Sequence, residues 1–179
     1  GSAYTSNGIT AFLKEVKTSL PETIDKVFFR ADSGFFSGEL FDLLESYGWD
    51  YLIKVKLKNL QKLLQSKTWE QIKGKKNIDI CEFTYKAHGW SKSRTLKAIR
   101  SVKEPACRSG RYVQVEYLGE KSIVPVYQYF CYISSYDIDA TQLHEIYKQR
   151  SANEFCDERD QSKLVLNWRV KMQNLRSKA

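Results

Sequence analysis

The chain has 179 residues, with 42% hydrophobic and 13% aromatic side chains, which excludes a disordered polymer and suits one domain or a core carrying an insertion. Lys and Arg number 29 against 21 Asp and Glu, so the protein is basic, at net +8. No apolar run is long enough for a membrane helix and no signal-peptide pattern opens the chain, so a cytoplasmic protein without membrane partners is expected.

The first fifty residues read in order. Ile9, Phe12, Leu13, Val16 and Leu20 recur at helical spacing and Pro21 ends the pattern. "DKVFFRAD" is a short strand-forming run that stops at Asp32. "SGFFSG" is a turn with Ser37 at the N-cap position. Phe36, Leu40, Leu43, Leu44 and Tyr47 then trace one helical stripe closed by Gly48. "WDYLIKVK" is a second strand. A β-α-β unit of this kind favours parallel, adjacent strands, here Val27–Ala31 and Tyr51–Val55, and puts functional side chains at their carboxyl ends. Asp32 stands at such an end.

After Lys54 the texture changes. "NLQKLLQSKTWEQI" predicts a short helix. "NIDICEFTYKA", "RTLKAIRSV", "RYVQVEYLG" and "SIVPVYQYFCYISS" predict antiparallel strands, with Pro125 marking an edge or bulge. Charge concentrates in this region. From Lys54 to Lys103 fourteen Lys and Arg face three Asp and Glu, whereas the chain up to Ile53 has four against eight. Interleaved Trp69, Tyr85 and Trp90 add rings to those cations, the two components of a nucleic-acid surface. Lys73, Lys75, Lys76, Lys92 and Arg94 are the candidate phosphate contacts, while Trp90 is either a base-stacking ring or a half-buried packing residue.

A helix is predicted from Asp139, where Asp139 and Gln142 resemble a capping box, through Glu154. In "YKQRSANEF", Tyr147, Arg150 and Glu154 fall at steps of three and four, within about 60° of one another on a helix surface. On spacing alone, an ordinary Arg150–Glu154 ion pair accounts for them. "KLVLNWRVKMQNLRSKA" reads as part of a further amphipathic helix. Cys81, Cys107, Cys131 and Cys156 form no C-x-x-C pair or Cys/His cluster, so reduced thiols are expected. His88 and His144 have no partners at metal or triad spacing.

"FFRADSGFF", then a β-rich insertion, then "YKQRSANEF", resembles the DDE transposases of the bacterial insertion-sequence class, over residues 7–163. The resemblance implies an α/β fold: an incomplete RNase H-like core, β-α-β plus C-terminal helices, interrupted by a β-rich insertion. The boundaries it implies are a first part of the core over 3–56, the basic insertion over 57–136 and returning core helices over 137–179. It assigns Asp32 and Glu154 as catalytic carboxylates holding Mg²⁺ or Mn²⁺, and Tyr147 and Arg150 as contacts to transposon-end phosphates. The activity implied is metal-dependent DNA cleavage and strand transfer in DNA transposition, with transposon ends and target DNA as partners. At the signature's lysine position stands Gln161, with Lys163 two residues on. Nothing before Asp32 matches the family's first catalytic aspartate, so an inactive fragment is expected, its exposed Val27–Ala31 edge open to self-association. The alternative is a non-catalytic nucleic-acid-binding module derived from a transposase.

Overall fold

A computed structural model describes residues 8–72, 74–75, 77–102, 112–117, 120–149 and 163–168. The opening helix α1 (Ile9–Ser19) is followed by β1 (Lys26–Ala31), a 3₁₀ turn at Ser33–Phe35, α2 (Gly38–Ser46) and β2 (Asp50–Lys54). As the β-α-β pattern requires, β1 and β2 are adjacent and parallel, with Phe29 opposite Tyr51 and Ala31 opposite Ile53. Every residue of β1 after Lys26 is buried, which explains its nearly unbroken apolar run: a strand covered on both faces cannot alternate with polar residues. Tyr47 closes α2, and Gly48 turns the chain away in the left-handed region at φ 65°, where a Cβ would be strained. Ser37 occupies the N-cap position of α2, but its hydroxyl makes no capping hydrogen bond.

The chain continues through α3 (Leu60–Gln65), β3 (Glu70–Gln71), β4 (Ile78–Tyr85), β5 (Arg94–Val102), β6 (Tyr112–Tyr117), β7 (Glu120–Pro125), β8 (Tyr127–Ser134), α4 (Ala140–Lys148) and β9 (Lys163–Trp168). Seven strands form one mixed sheet in the order β3-β4-β5-β8-β2-β1-β9, while β6 and β7 form a separate antiparallel pair. The strands of the basic region therefore extend the first sheet. The stretch "SIVPVYQYFCYISS" is two strands, divided at Val126: Pro125 ends β7, and β8 joins the large sheet between β5 and β2.

Two sequence expectations are corrected. Lys163–Trp168 is a strand, where an amphipathic helix was expected. It pairs in parallel with β1 along all six residues, Lys26 opposite Lys163 through Ala31 opposite Trp168. The outer side of β1 is thus covered, and the exposed-edge argument for self-association falls with it.

The two faces of the sheet carry different loads. One packs the larger core: Leu13, Phe29, Phe35, Phe41, Leu44, Ile53, Leu64, Leu96 and Ile133, with side chains from the first three helices. The other holds Phe28, Leu52, Ile99 and Tyr132 beneath Ala140 and Leu143 of α4. Cys81, Ala98 and Cys131 form a row across β4, β5 and β8. An intervening strand separates the two cysteines by about 10 Å, too far for a disulfide. Burial pushes the Cys131 thiol up to about 12.

Candidate active site and basic surface

Asp32 leaves the carboxyl end of β1 in an extended conformation and caps the 3₁₀ turn: Gly34 N–H donates to its Oδ1 at 2.8 Å. This local bond is the usual use of an Asp before a tight turn, and it aims the carboxylate away from the strand. Phe35, fully buried, pins the turn to the core. The carboxylate is therefore held on a rigid support at the end of β1, an interior strand lying between β2 and the edge strand β9.

On the opposite sheet face, α4 starts at the Asp139 cap, whose carboxylate accepts from the N–H groups of Thr141 and Gln142 at 2.7 and 3.0 Å. Its last turn is tied to β1. Arg30, completely buried and two residues before Asp32, donates through Nη1 to the carbonyl of Ile146. A cation at a helix C-terminus satisfies a carbonyl left without an intrahelical partner and is favoured by the helix dipole. Tyr147, half-buried, lies against Tyr132 with ring centroids 5.0 Å apart. The Tyr132 hydroxyl is hydrogen-bonded to His144 Nδ1 at 2.7 Å. Burial, then the nearby Lys148 charge, lowers the His144 pKa. Of the sequence-predicted site, Asp32 and Tyr147 are thus placed on elements joined by Arg30. Arg150, Glu154 and Gln161 lie outside the described residues.

The basic segment divides once folded. Trp90, 8% exposed, is packed among Phe36, Phe41 and Tyr85. Arg94 is buried between the carboxylates of Asp42 and Glu45, at 2.6 and 2.9 Å, and Lys92 pairs with Glu45. Neither Trp90 nor Arg94 offers an open face in this arrangement, contrary to their expected role as nucleic-acid contacts. Lys97 is buried against the Ile138 carbonyl and Asp137. Lys75 is exposed, whereas Lys73 and Lys76 lie outside the described residues.

Residues 1–154 match the transposase DDE domain family. The chain belongs to that family. The match ends on Glu154, the last residue of the Tyr-Arg-Glu spacing. Among curated proteins nothing matches the chain.

For a transposase DDE domain the substrate is DNA, and a chain acting on it gains from a basic surface. Among the described residues no helix is long and apolar enough to cross a membrane. Asp32 fits a divalent cation by donor chemistry, since a carboxylate oxygen on a rigid strand end is the ligand type that Mg²⁺ and Mn²⁺ take. Among the described residues, no three His, Cys, Asp or Glu side chains converge on one point. Sequence reasoning missed Arg30 and Tyr132. The signal for Arg30 was present: a lone cation inside "VFFRA", a run whose other members all need burial, must find a partner in the interior.

Proposed function

We propose that this DDE domain contributes to metal-dependent DNA cleavage and strand transfer during transposition, from an RNase H-like core divided at about 57–136 by the basic insertion. Asp32 and Glu154 hold Mg²⁺ or Mn²⁺, and Tyr147 and Arg150 steady phosphates of the transposon end. The observation that carries the reading is the Arg30 tie: it brings the last turn of α4, which leads into the Arg150–Glu154 segment, onto the strand that ends in Asp32.

A divalent metal, when bound there, would supply activation of the attacking oxygen and charge stabilisation in the transition state. The chain's own contribution is to fix a carboxylate direction at Asp32 and to set guanidinium donors against phosphate. Two matching carboxylates support one loosely held ion, so these 179 residues by themselves are expected to bind the metal weakly and to show no strand transfer. Calorimetric titration with Mn²⁺ tests this: weak binding should vanish in both Asp32→Asn and Glu154→Gln. Unchanged binding in the two variants overturns the assignment.

DNA contact is assigned to the exposed Lys75 and to its sequence neighbours Lys73 and Lys76. Anisotropy of a labelled duplex should show weak, sequence-independent binding that falls steeply with salt as counterions are released. Neutralising those three lysines should flatten the salt dependence. Full retention of affinity would move the contact elsewhere.

A further inference from the structure

We infer that Trp90, at the turn between β4 and β5, is a positioning residue for Asp32, acting through the Phe36–Gly38 segment. The inference rests on the reading of Asp32 as a metal ligand, and it starts from the short path between them. Asp32 caps the turn Ser33–Phe35, and the chain passes through Phe36 and Ser37 directly into α2 at Gly38. Trp90 closes on this passage. Its ring lies 5.5 Å from those of Phe36 and Phe41. A Cβ at Gly38 would stand 2.5 Å from Trp90 Cδ1, so the indole and the first turn of α2 are in direct contact, and only glycine permits it.

The indole is itself held in place. Arg94 lies over the rings of Trp90 and Phe41, at 5.5 and 5.4 Å, and bonds to Asp42 and Glu45 on α2. Ser91 donates to Asp42 at 2.6 Å, and Tyr51 of β2 donates to Glu45 at 2.8 Å. Trp90, Ser91, Lys92 and Arg94 thus dock the tip of the hairpin onto α2 and the passage that leads into it. The turn bearing Asp32 is braced by β1 before it, by the buried Phe35 within it and by this contact after it. Phe35 anchors the turn in the core, and Trp90 fixes the passage that leaves it. With Trp90 seated, the Gly34 N–H to Asp32 Oδ1 bond is held closed.

Amide hydrogen exchange measured by NMR tests this, with an internal control. Gly34 N–H donates to Asp32, and Thr141 N–H makes the equivalent bond to Asp139 at the start of α4. Trp90→Leu should speed exchange at Gly34 about tenfold relative to Thr141. Trp90→Phe, which keeps a ring against Gly38, should hold the rise to about threefold. If the leucine variant does not fold, the phenylalanine variant decides: a rise at Gly34 with Thr141 unchanged supports the brace. An unchanged ratio, or equal acceleration at both amides, overturns it. Mn²⁺ alone, added to the folded chain, should broaden the Gly34 resonance, with a midpoint raised at least threefold by Trp90→Leu. Absence of broadening in the unaltered chain would overturn the metal reading of Asp32, and the exchange ratio would still decide the brace.

Discussion

Arg94 and Arg100 stand six residues apart on the same face of β5, each paired with acid and lying over two aromatic rings, yet they do different work. The Arg94 side chain is 5% exposed, and its carboxylates, Asp42 and Glu45, belong to α2. The Arg100 side chain is 22% exposed; its acid, Asp79, is directly opposite on β4, and its rings are Trp69 at 4.7 Å and Tyr127 at 4.4 Å. Similar chemistry thus serves tertiary docking at one end of the strand and neighbour pairing at the other. Burial and the origin of the acid decide which. Where water is excluded and the partner comes from a distant element, losing the contact releases that element. Where water reaches the cation and the partner is held by ladder hydrogen bonds, the strands stay paired without it.

The comparison predicts its largest effect at the rings. Trp90→Ala should cost about 3–5 kcal/mol of unfolding free energy, the range for removing a large buried aromatic, read from urea denaturation. The half-buried Trp69, which donates to the Leu64 carbonyl at 2.9 Å, should cost about half as much when changed to Ala. Equal losses would break the distinction. Gly38→Val should approach the lower part of the Trp90 range, because the added atoms overlap a ring that has nowhere to move.

Arg94→Met comes next. It leaves the partly buried Glu45 with Lys92 and the Tyr51 hydroxyl, and it leaves Asp42 with Ser91 and water. A loss of about 2–3 kcal/mol is expected, below that for a fully buried broken pair, because Asp42 is well exposed and rehydrates. Chemical denaturation of the variant checks it.

The same cluster predicts a pH dependence. Burial pushes the Glu45 carboxyl up, but hydrogen bonds from Arg94, Lys92 and Tyr51 outweigh it and hold it at about 2. The folded state therefore binds the proton less readily than the unfolded chain. Stability from this group is fully present above its ordinary value of 4.5 and is lost as pH falls from there towards 2. His144, whose pKa is also lowered, acts in the same direction from pH 6.5 downward. Melting temperature should fall with acidification through both windows. Glu45→Gln should flatten the lower window only; a curve unchanged by that substitution would show that the Arg94 cluster does not set acid stability.

What was legible in the sequence was local. The strand ending at Asp32, the stripe of α2 and the Asp139 cap are each carried by residues a few positions apart, and each formed where expected. The misreadings are of contacts made at a distance. "KLVLNW" mixes apolar and polar residues in a charged stretch, which suits a helix as well as a strand, and only pairing with Lys26–Ala31, more than 130 positions earlier, makes it a strand. In "KAHGWSKSR" the neighbours of Trp90 are polar, and the stretch leaves a base-stacking ring and a packing ring both open. Its burial depends on Gly38 and Phe41, which nothing in that stretch announces. Arg94 looked like a phosphate contact for the same reason: its acids lie 49 and 52 residues away.

The smallest predicted effect makes the sharpest test of the comparison. Arg100→Met removes a cation from between two rings and from Asp79, but keeps a flexible apolar chain against Trp69 and Tyr127. Asp79 remains opposite position 100 in a ladder of eight register pairs between β4 and β5. The pair is partly hydrated, so its contribution belongs near the upper end of the surface range, and each half-buried cation–ring contact adds at least about 0.5 kcal/mol. The methionine recovers part of this through its own contact with the rings. A net loss of about 1 kcal/mol is expected, well below that of Arg94→Met, and it should shrink further in 1 M salt as Asp79 is screened. A loss at Arg100 equal to that at Arg94 in paired urea titrations would mean that both ends of β5 are docked, and that the origin of the acid does not matter.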